Sequence, residues 1–163
     1  MIAPDPAAFA VALPGGGRLM GLDLGTRTIG VALADAGWSF ATPLETVMRT
    51  KLGPDLARLS AIIAAQRIAG IVLGHPINMD GTRGPRAQAT RAFARDAAAT
   101  LALPLLLWDE RLSTAEAERA MLAQDMSRAK RAARIDSHAA AIILQGALDA
   151  LAHRPSILSD SER

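Results

Sequence analysis

A change of hydrophobic period near Pro54 constrains this chain more than any other feature of its sequence. Ahead of it, Arg18 to Asp23 and Thr28 to Ala34 are short apolar runs parted by Gly25-Thr26-Arg27, the pattern of two neighbouring strands with a tight turn. Trp38 to Val47 supplies a third strand, and Pro43, which cannot donate to a ladder, places it near an edge. Beyond Pro54, Leu56, Leu59, Ile62, Ile63 and Ile68 follow helical spacing, and Ile71-Val72-Leu73 form a short buried strand ended by Gly74. Pro85 suits a first helical position, and Ala89, Phe93, Ala97 and Leu101 make a stripe before Pro104 stops the helix. A last strand follows over Leu105 to Trp108. Ser113 and Glu116 then form a capping box, with Leu112 placed to staple onto Ala117, for a helix ending near Gln124. Ile135 to Leu151 reads as a long helix, apolar around much of its circumference and therefore mostly buried. Strands joined by tight turns pair as antiparallel hairpins, whereas strands joined through helices run parallel. The order β-β-β-α-β-α-β-α-α therefore predicts an α/β domain with a mixed five-stranded sheet flanked by helices.

The ends read differently. Residues 1–17 carry Pro4, Pro6 and Pro14 and close on three glycines, with room for a short helix over Ala7 to Val11; they are expected to be an N-terminal extension. Residues 154–163 are polar apart from Ile157 and Leu158 and are expected to be a flexible tail, leaving Arg18 to His153 as the domain. Half of the 163 residues are hydrophobic but only 3% are aromatic, and 35 are alanine, so the core should be aliphatic. Without cysteine there is no disulfide, thiol nucleophile or thiolate metal site. Any metal must be held by oxygen or imidazole, which points to Mg²⁺ or Mn²⁺. No apolar run reaches the roughly 18 residues of a spanning helix, and the start lacks the basic segment of a secretory signal. A cytoplasmic protein without a membrane partner is expected.

Three acidic positions stand out. Asp23 ends the first strand among apolar neighbours and just before a glycine. A carboxylate there is costly to bury unless it is hydrogen-bonded, paired or bound to a metal, although capping the turn at Gly25 would also explain it. Asp109 and Glu110 follow the last strand, at the carboxyl end where open α/β sheets place their sites; a surface turn with Arg111 is the plainer reading. Asp136 falls in the first turn expected of the long helix, where capping alone accounts for an Asp. Taken together, two strand ends and the start of a helix packed across them can bring these carboxylates to one rim. An all-oxygen cluster suits Mg²⁺ or Mn²⁺ and phosphodiester hydrolysis.

Basic residues gather nearby in sequence. Arg128, Lys130, Arg131 and Arg134 precede Asp136, and Arg83 and Arg86 sit in and after the loop from Gly74 to Gly84. Such a run is ordinarily a solvated face; beside an acidic metal site, it and Arg111 suit phosphate contacts. With Trp108 alone as a nearby aromatic, backbone recognition is expected over base stacking. His138, two positions along a helix from Asp136, projects away from it and is expected to be structural. His75 could tune the site without being required.

Four ordered motifs then carry a resemblance: Gly21-Leu22-Asp23-Leu24-Gly25-Thr26-Arg27-Thr28-Ile29-Gly30-Val31-Ala32, Gly74-His75-Pro76-Ile77-Asn78-Met79-Asp80-Gly81, Asp109-Glu110-Arg111-Leu112-Ser113-Thr114-Ala115-Glu116-Ala117, and Ile135-Asp136-Ser137 leading into Ala141-Ile142-Ile143-Leu144-Gln145. Together they resemble the YqgF family, also called RuvX, of Holliday-junction-resolvase-like proteins assigned as pre-16S rRNA nucleases. The resemblance covers about Arg18 to Leu151. It implies a ribonuclease-H-like fold related to the RuvC resolvases, with strand order 3-2-1-4-5, the arrangement that the order of elements already outlines. It implies a nuclease that matures the 5′ end of small-subunit ribosomal RNA in ribosome biogenesis, acting on RNA or a ribosomal particle. The family's acidic positions correspond to Asp23, Glu110 and Asp136, with Asp109 as a substitute ligand. Two departures stand beside it: Leu73-Gly74-His75-Pro76 has no acid where RuvC resolvases place one, and His75 replaces an expected leucine. Other readings stay open. A junction-cutting DNA endonuclease would favour a two-fold dimer, because symmetric cuts need paired sites. An RNA-binding assembly factor would use the acids structurally, and a monomer or homodimer fits equally. The Asp23 turn also resembles the phosphate loop of the sugar-kinase and actin superfamily, which closes two such domains where this chain supplies one.

Overall fold

The structure, a computed structural model, describes residues 1–78, 80–112 and 128–152, with side chains in the last segment from residue 137 onward. The elements are β1 (Ile2–Ala3), α1 (Pro6–Ala12), β2 (Arg18–Leu24), β3 (Thr28–Ala34), β4 (Ala41–Met48), α2 (Leu52–Gln66), β5 (Ile68–His75), α3 (Pro85–Leu101), β6 (Leu105–Asp109), a 3₁₀ turn at Glu110–Leu112, and α4 (Arg128–Ala152). The capping box at Ser113, the helix expected to reach Gln124, Met79 and the 154–163 tail lie outside the described residues. Among the described residues no helix is long and apolar enough to cross a membrane.

The sheet is mixed, in the order β1-β6-β5-β2-β3-β4. The hairpin strands β2, β3 and β4 pair antiparallel, and β5 and β6, each reached through a helix, run parallel to β2. That is the expected order, with β4 at its edge, plus a sixth strand. β1 pairs in parallel with β6, Ile2 opposite Leu105, and Leu105 N donates to Met1 O at 3.0 Å. Two residues are too few to show a period, so the sequence gives no strand signal there. The segment expected as an extension also folds α1 from Pro6 to Ala12: Asp5 accepts from Ala8 N at 2.8 Å and Pro6 takes the first turn. Phe9, fully buried, joins α1 to the core under α4.

Several boundaries move for local reasons. β4 begins at Ala41 rather than Trp38, because the Asp35 carboxylate accepts from Ser39 N and Phe40 N and holds a turn with Trp38 at φ 57°. Ile68 opens β5 instead of continuing α2, since Arg67 leaves the helix at φ 54°. β5 runs through Gly74 to His75; central and covered on both faces, it buries all its positions and lacks the alternation that marks an end. β6 includes Asp109. Ala89 is exposed, and α3 buries Ala87, Thr90, Phe93, Ala94, Ala97 and Ala98 instead. α4 is helical already at Arg128 rather than from Ile135, because its alanines, arginines and lysine are strong helix formers.

Two cores result. Met20, Leu22, Leu24, Val31 and Leu73 face α2 and α3, while Leu19, Ala32, Val72, Leu106 and Trp108 face α1 and α4. α4 lies very close to β2, for a Cβ built on Gly21 would stand 2.7 Å from Leu144 Cβ and 2.9 Å from Ala140 O. Farther along α4, Gln145 accepts from Ala41 N at 2.9 Å and donates to Ser39 O at 3.1 Å, at the turn level with the start of β2. The helix therefore runs back along β2, and its earlier turns cross the rim where β2 and β5 end.

Replacing Phe9 by Ala should cost about 3–5 kcal/mol, as for a large buried aromatic, read from urea unfolding. A change below about 0.5 kcal/mol, typical of a surface site, would mean that α1 contributes nothing to the domain.

Candidate functional site

The rim is built from the last residues of β2, β5 and β6. At β2 the hairpin closes with Gly25 N donating to Thr28 O at 2.8 Å, and the Arg49 guanidinium donates to Gly25 O. Asp23, half-buried, sits two residues before that turn, directly opposite Gly30 of β3. Side chains alternate along a strand. Leu22 and Leu24 belong to the α2–α3 core, so Asp23, like Gly21, faces α4. On the other side of β2, Leu22 pairs with Leu73, which sets Gly74 alongside Asp23.

Asp109 and Glu110, adjacent in sequence, part company. Asp109 continues the alternation of Leu105 and Leu107 toward the α3 face and stands opposite His75 in the ladder. Arg111 grips it through Nε at 3.0 Å to both carboxylate oxygens, a second nitrogen at 2.7 Å, and its own backbone N at 3.0 Å. That guanidinium, chiefly through its hydrogen bonds, holds the Asp109 carboxyl below its ordinary range. Asp109 and Arg111 are therefore partners of each other. Glu110 turns the opposite way: its Oε1 lies 2.6 Å from where a Cβ on Gly74 would be, beside Ile143 of α4. Neighbouring strands are roughly 4.8 Å apart, so this carboxylate stands one strand from that of Asp23, on the same face.

Asp136 is eight residues into α4 rather than in its first turn. Capping a helix start therefore does not account for an acid there. Its position is one turn before Ala140, on the stripe that meets Gly21, toward the Asp23 end of the sheet. Its side chain, with those of Arg128, Lys130, Arg131 and Arg134, lies outside the described residues. Among the described residues no three His, Asp or Glu side chains form a metal-sized group. The structure thus places Asp23 and Glu110 on the same face of the sheet, sets Asp136 one helical turn before Ala140, and leaves Asp109 on the far face.

Arg83 and Arg86 are exposed on the α3 side of this rim. The loop that carries Arg83 is ordered by Asn78 N to Thr82 O at 2.9 Å, Gly81 N to Asn78 O at 2.8 Å, and Thr82 Oγ1 to Asp80 at 2.6 Å. His75, 6% exposed, lies on the same side, and its Nε2 is buried without a hydrogen-bond partner among the described residues. Burial lowers its pKa below the ordinary imidazole value, Arg83 and Arg91 push the same way, and Asp109 opposes them. His138 likewise has a buried Nδ1 without a described partner. What the sequence reading missed is Gly74, taken as a strand stop; Leu73 and His75 on either side of it gave no signal of a second role.

Residues 17–150 match the family described as RuvX, Holliday junction resolvase. A protein of Sphingopyxis alaskensis is 64% identical over 149 residues, 91% of this chain and 95% of its own, and one of Rhodobacter capsulatus is 58% identical over 153 residues, 94% and 96%. Both bear the provisional name of pre-16S rRNA nuclease. Among solved structures, Thermus thermophilus RuvC in complex with a Holliday junction substrate aligns with a TM-score of 0.58 at 16% identity, over 83% of this chain and 96% of that one. The shared fold is ribonuclease-H-like.

A lowered His75 pKa means that the unfolded chain binds the proton more readily than the folded one, so stability falls as pH drops through about 6.5. His75→Leu should lose less stability than wild type between pH 7.5 and 5.5, by up to about 1.4 kcal/mol per pH unit, in urea titrations. Parallel losses in the two proteins would show that His75 binds its proton equally well in the folded and the unfolded chain.

Proposed function

This chain belongs to the RuvX family and is a hydrolase of phosphodiester bonds, and from that premise we propose that it is a metal-dependent nuclease processing the 5′ end of pre-16S ribosomal RNA. One observation carries the catalytic part of this reading: carboxylates from two separate strand ends, Asp23 and Glu110, stand on one face of one rim. Two carboxylates that face each other across β5 repel, and a cation between them relieves that cost. The donors fit a hard divalent ion, for they are oxygen only, without thiolate or imidazole. Gly74 leaves the space that the Glu110 carboxylate fills. Asp23, Glu110 and, from α4, Asp136 would hold Mg²⁺ or Mn²⁺; Asp109, engaged by Arg111, would not. When bound, such an ion supplies Lewis-acid stabilisation of charge on a phosphodiester under attack by water.

The remaining work falls to the chain's own groups. Arg83 and Arg86 on the α3 side, and Arg128, Lys130, Arg131 and Arg134 on the first turns of α4, would hold phosphates and orient a strand across the rim. Cationic groups of this kind read backbone rather than sequence, which suits a structured precursor RNA or a ribosomal particle. The pre-16S assignment rests on relatives at 57–64% identity. The family description and the RuvC fold favour a second substrate, a four-way DNA junction.

The deciding experiment incubates wild type and Asp23→Asn with a 5′-extended 16S precursor RNA and with a four-way junction, each with Mg²⁺, Mn²⁺ or chelator. Metal-dependent trimming of the RNA by wild type is expected, with a loss of about 100-fold or more in Asp23→Asn, the scale of losing Lewis-acid stabilisation worth several kcal/mol. Preferential junction cutting would move the function to recombination, and salt-sensitive binding with no cutting would leave an RNA-binding assembly factor. In the same binding assay, Arg83→Ala and Arg86→Ala should each reduce the slope of log affinity against log salt by about 1. An unchanged slope would remove those arginines from the interface.

A further inference from the structure

β5 lies between the strand that bears Asp23 and the strand that leads to Glu110, yet its own end, Leu73-Gly74-His75, offers no carboxylate toward α4. Glu110 starts beyond β6, so its side chain reaches the neighbourhood of Asp23 only by crossing β5. It crosses where the side chain of residue 74 would stand. A Cβ there would meet Glu110 Oε1 at 2.6 Å and Ile143 Cδ1 at 2.5 Å, both far inside van der Waals contact. On the nuclease reading above, we propose that Gly74 is a positioning residue: its missing side chain leaves the slot through which Glu110 delivers to β5 the carboxylate that β5 lacks.

Two residues border the slot, Trp108 beside it and Ile143 above it. Trp108 pairs with Gly74 across the β5–β6 ladder, its indole packed against α4 at Gly146, where a Cβ would lie 3.1 Å from the ring. Ile143, 4% exposed, roofs the slot from α4. Within those walls a side chain on residue 74 forces the Glu110 carboxylate or Ile143 to move. One position at the rim thus receives its acid from the neighbouring strand, and a side chain on β5 would displace it.

A purely packing role for Gly74, against Ile143 alone, makes the opposite forecast for compensating variants. Gly74→Ala should weaken Mn²⁺ binding, measured by calorimetry with the metal alone, by about 10-fold or more, as when a group orienting a ligand is lost, and should lower precursor cleavage with it. Adding Ile143→Ala relieves the packing clash and should restore the melting temperature but not Mn²⁺ affinity. Adding Glu110→Asp instead withdraws the carboxylate by one methylene. It should raise Mn²⁺ affinity in the Gly74→Ala background while lowering it in wild type, a reversal of sign that packing does not produce. Should Gly74→Ala fail to fold, the Gly74→Ala, Ile143→Ala pair carries the same test. Full recovery of Mn²⁺ affinity in that pair, or wild-type affinity in Gly74→Ala, overturns the assignment while wild-type cleavage leaves the nuclease reading standing. Wild type that neither binds Mn²⁺ nor cleaves removes both.

Discussion

The close seating of α4 on the sheet governs the rest of the molecule. Ala140 and Leu144 press onto Gly21 of β2, and Ile143 onto Gly74 of β5, at distances that only glycine permits. A helix usually lies about 10 Å from a sheet, held off by side chains on both surfaces. Bare positions on β2 and β5 lower it, and they do so on the two strands whose ends carry the candidate site. The same contact sets the register of α4, with Gln145 fastened to the β3–β4 turn and the earlier turns carried over the rim. Asp136 and the basic run ahead of it owe their place to that register.

The end of β6 does the second piece of sorting. Asp109 and Glu110 are chemically alike and covalently adjacent, yet Asp109 closes the strand while Glu110 opens the 3₁₀ turn, and they face opposite sides of the sheet. Asp109 meets Arg111, whose nitrogens saturate it, with His75 across the ladder; this ion pair, with side chains about one-quarter to one-third exposed, stabilises the corner modestly. Glu110 is turned toward Asp23 instead. A carboxylate already bound by a bidentate guanidinium has little reason to take a cation.

Much of this was legible in the residues. Gly25-Thr26-Arg27 between two apolar runs marked the hairpin, helical spacing after Pro54 marked the crossovers, and their order dictated a mixed sheet with β4 at its edge. Asp23 at a strand end was visible as a costly carboxylate. Other features left no local trace. β1 is two residues long, and α1 gains its place from one phenylalanine finding a core that forms elsewhere. α4 starts at Arg128, ahead of the apolar stretch that opens at Ile135, because arginine, lysine and alanine favour helix as strongly as any residues do.

The sequence by itself determined the strands, the crossover helices, the absence of thiol chemistry and the identity of the acids, because hydrophobic period and residue type are properties of short segments. Which acids share a face was decided only in the tertiary structure. Asp23 and Glu110 are distant in the chain, and their approach depends on a parallel crossover that puts β5 between β2 and β6. Gly74 shows the division most plainly. In sequence it reads as the end of a strand, for nothing local distinguishes a glycine that stops a ladder from one that makes room. Its role follows from what three other elements bring to the space above it, and that space exists only once the chain has folded.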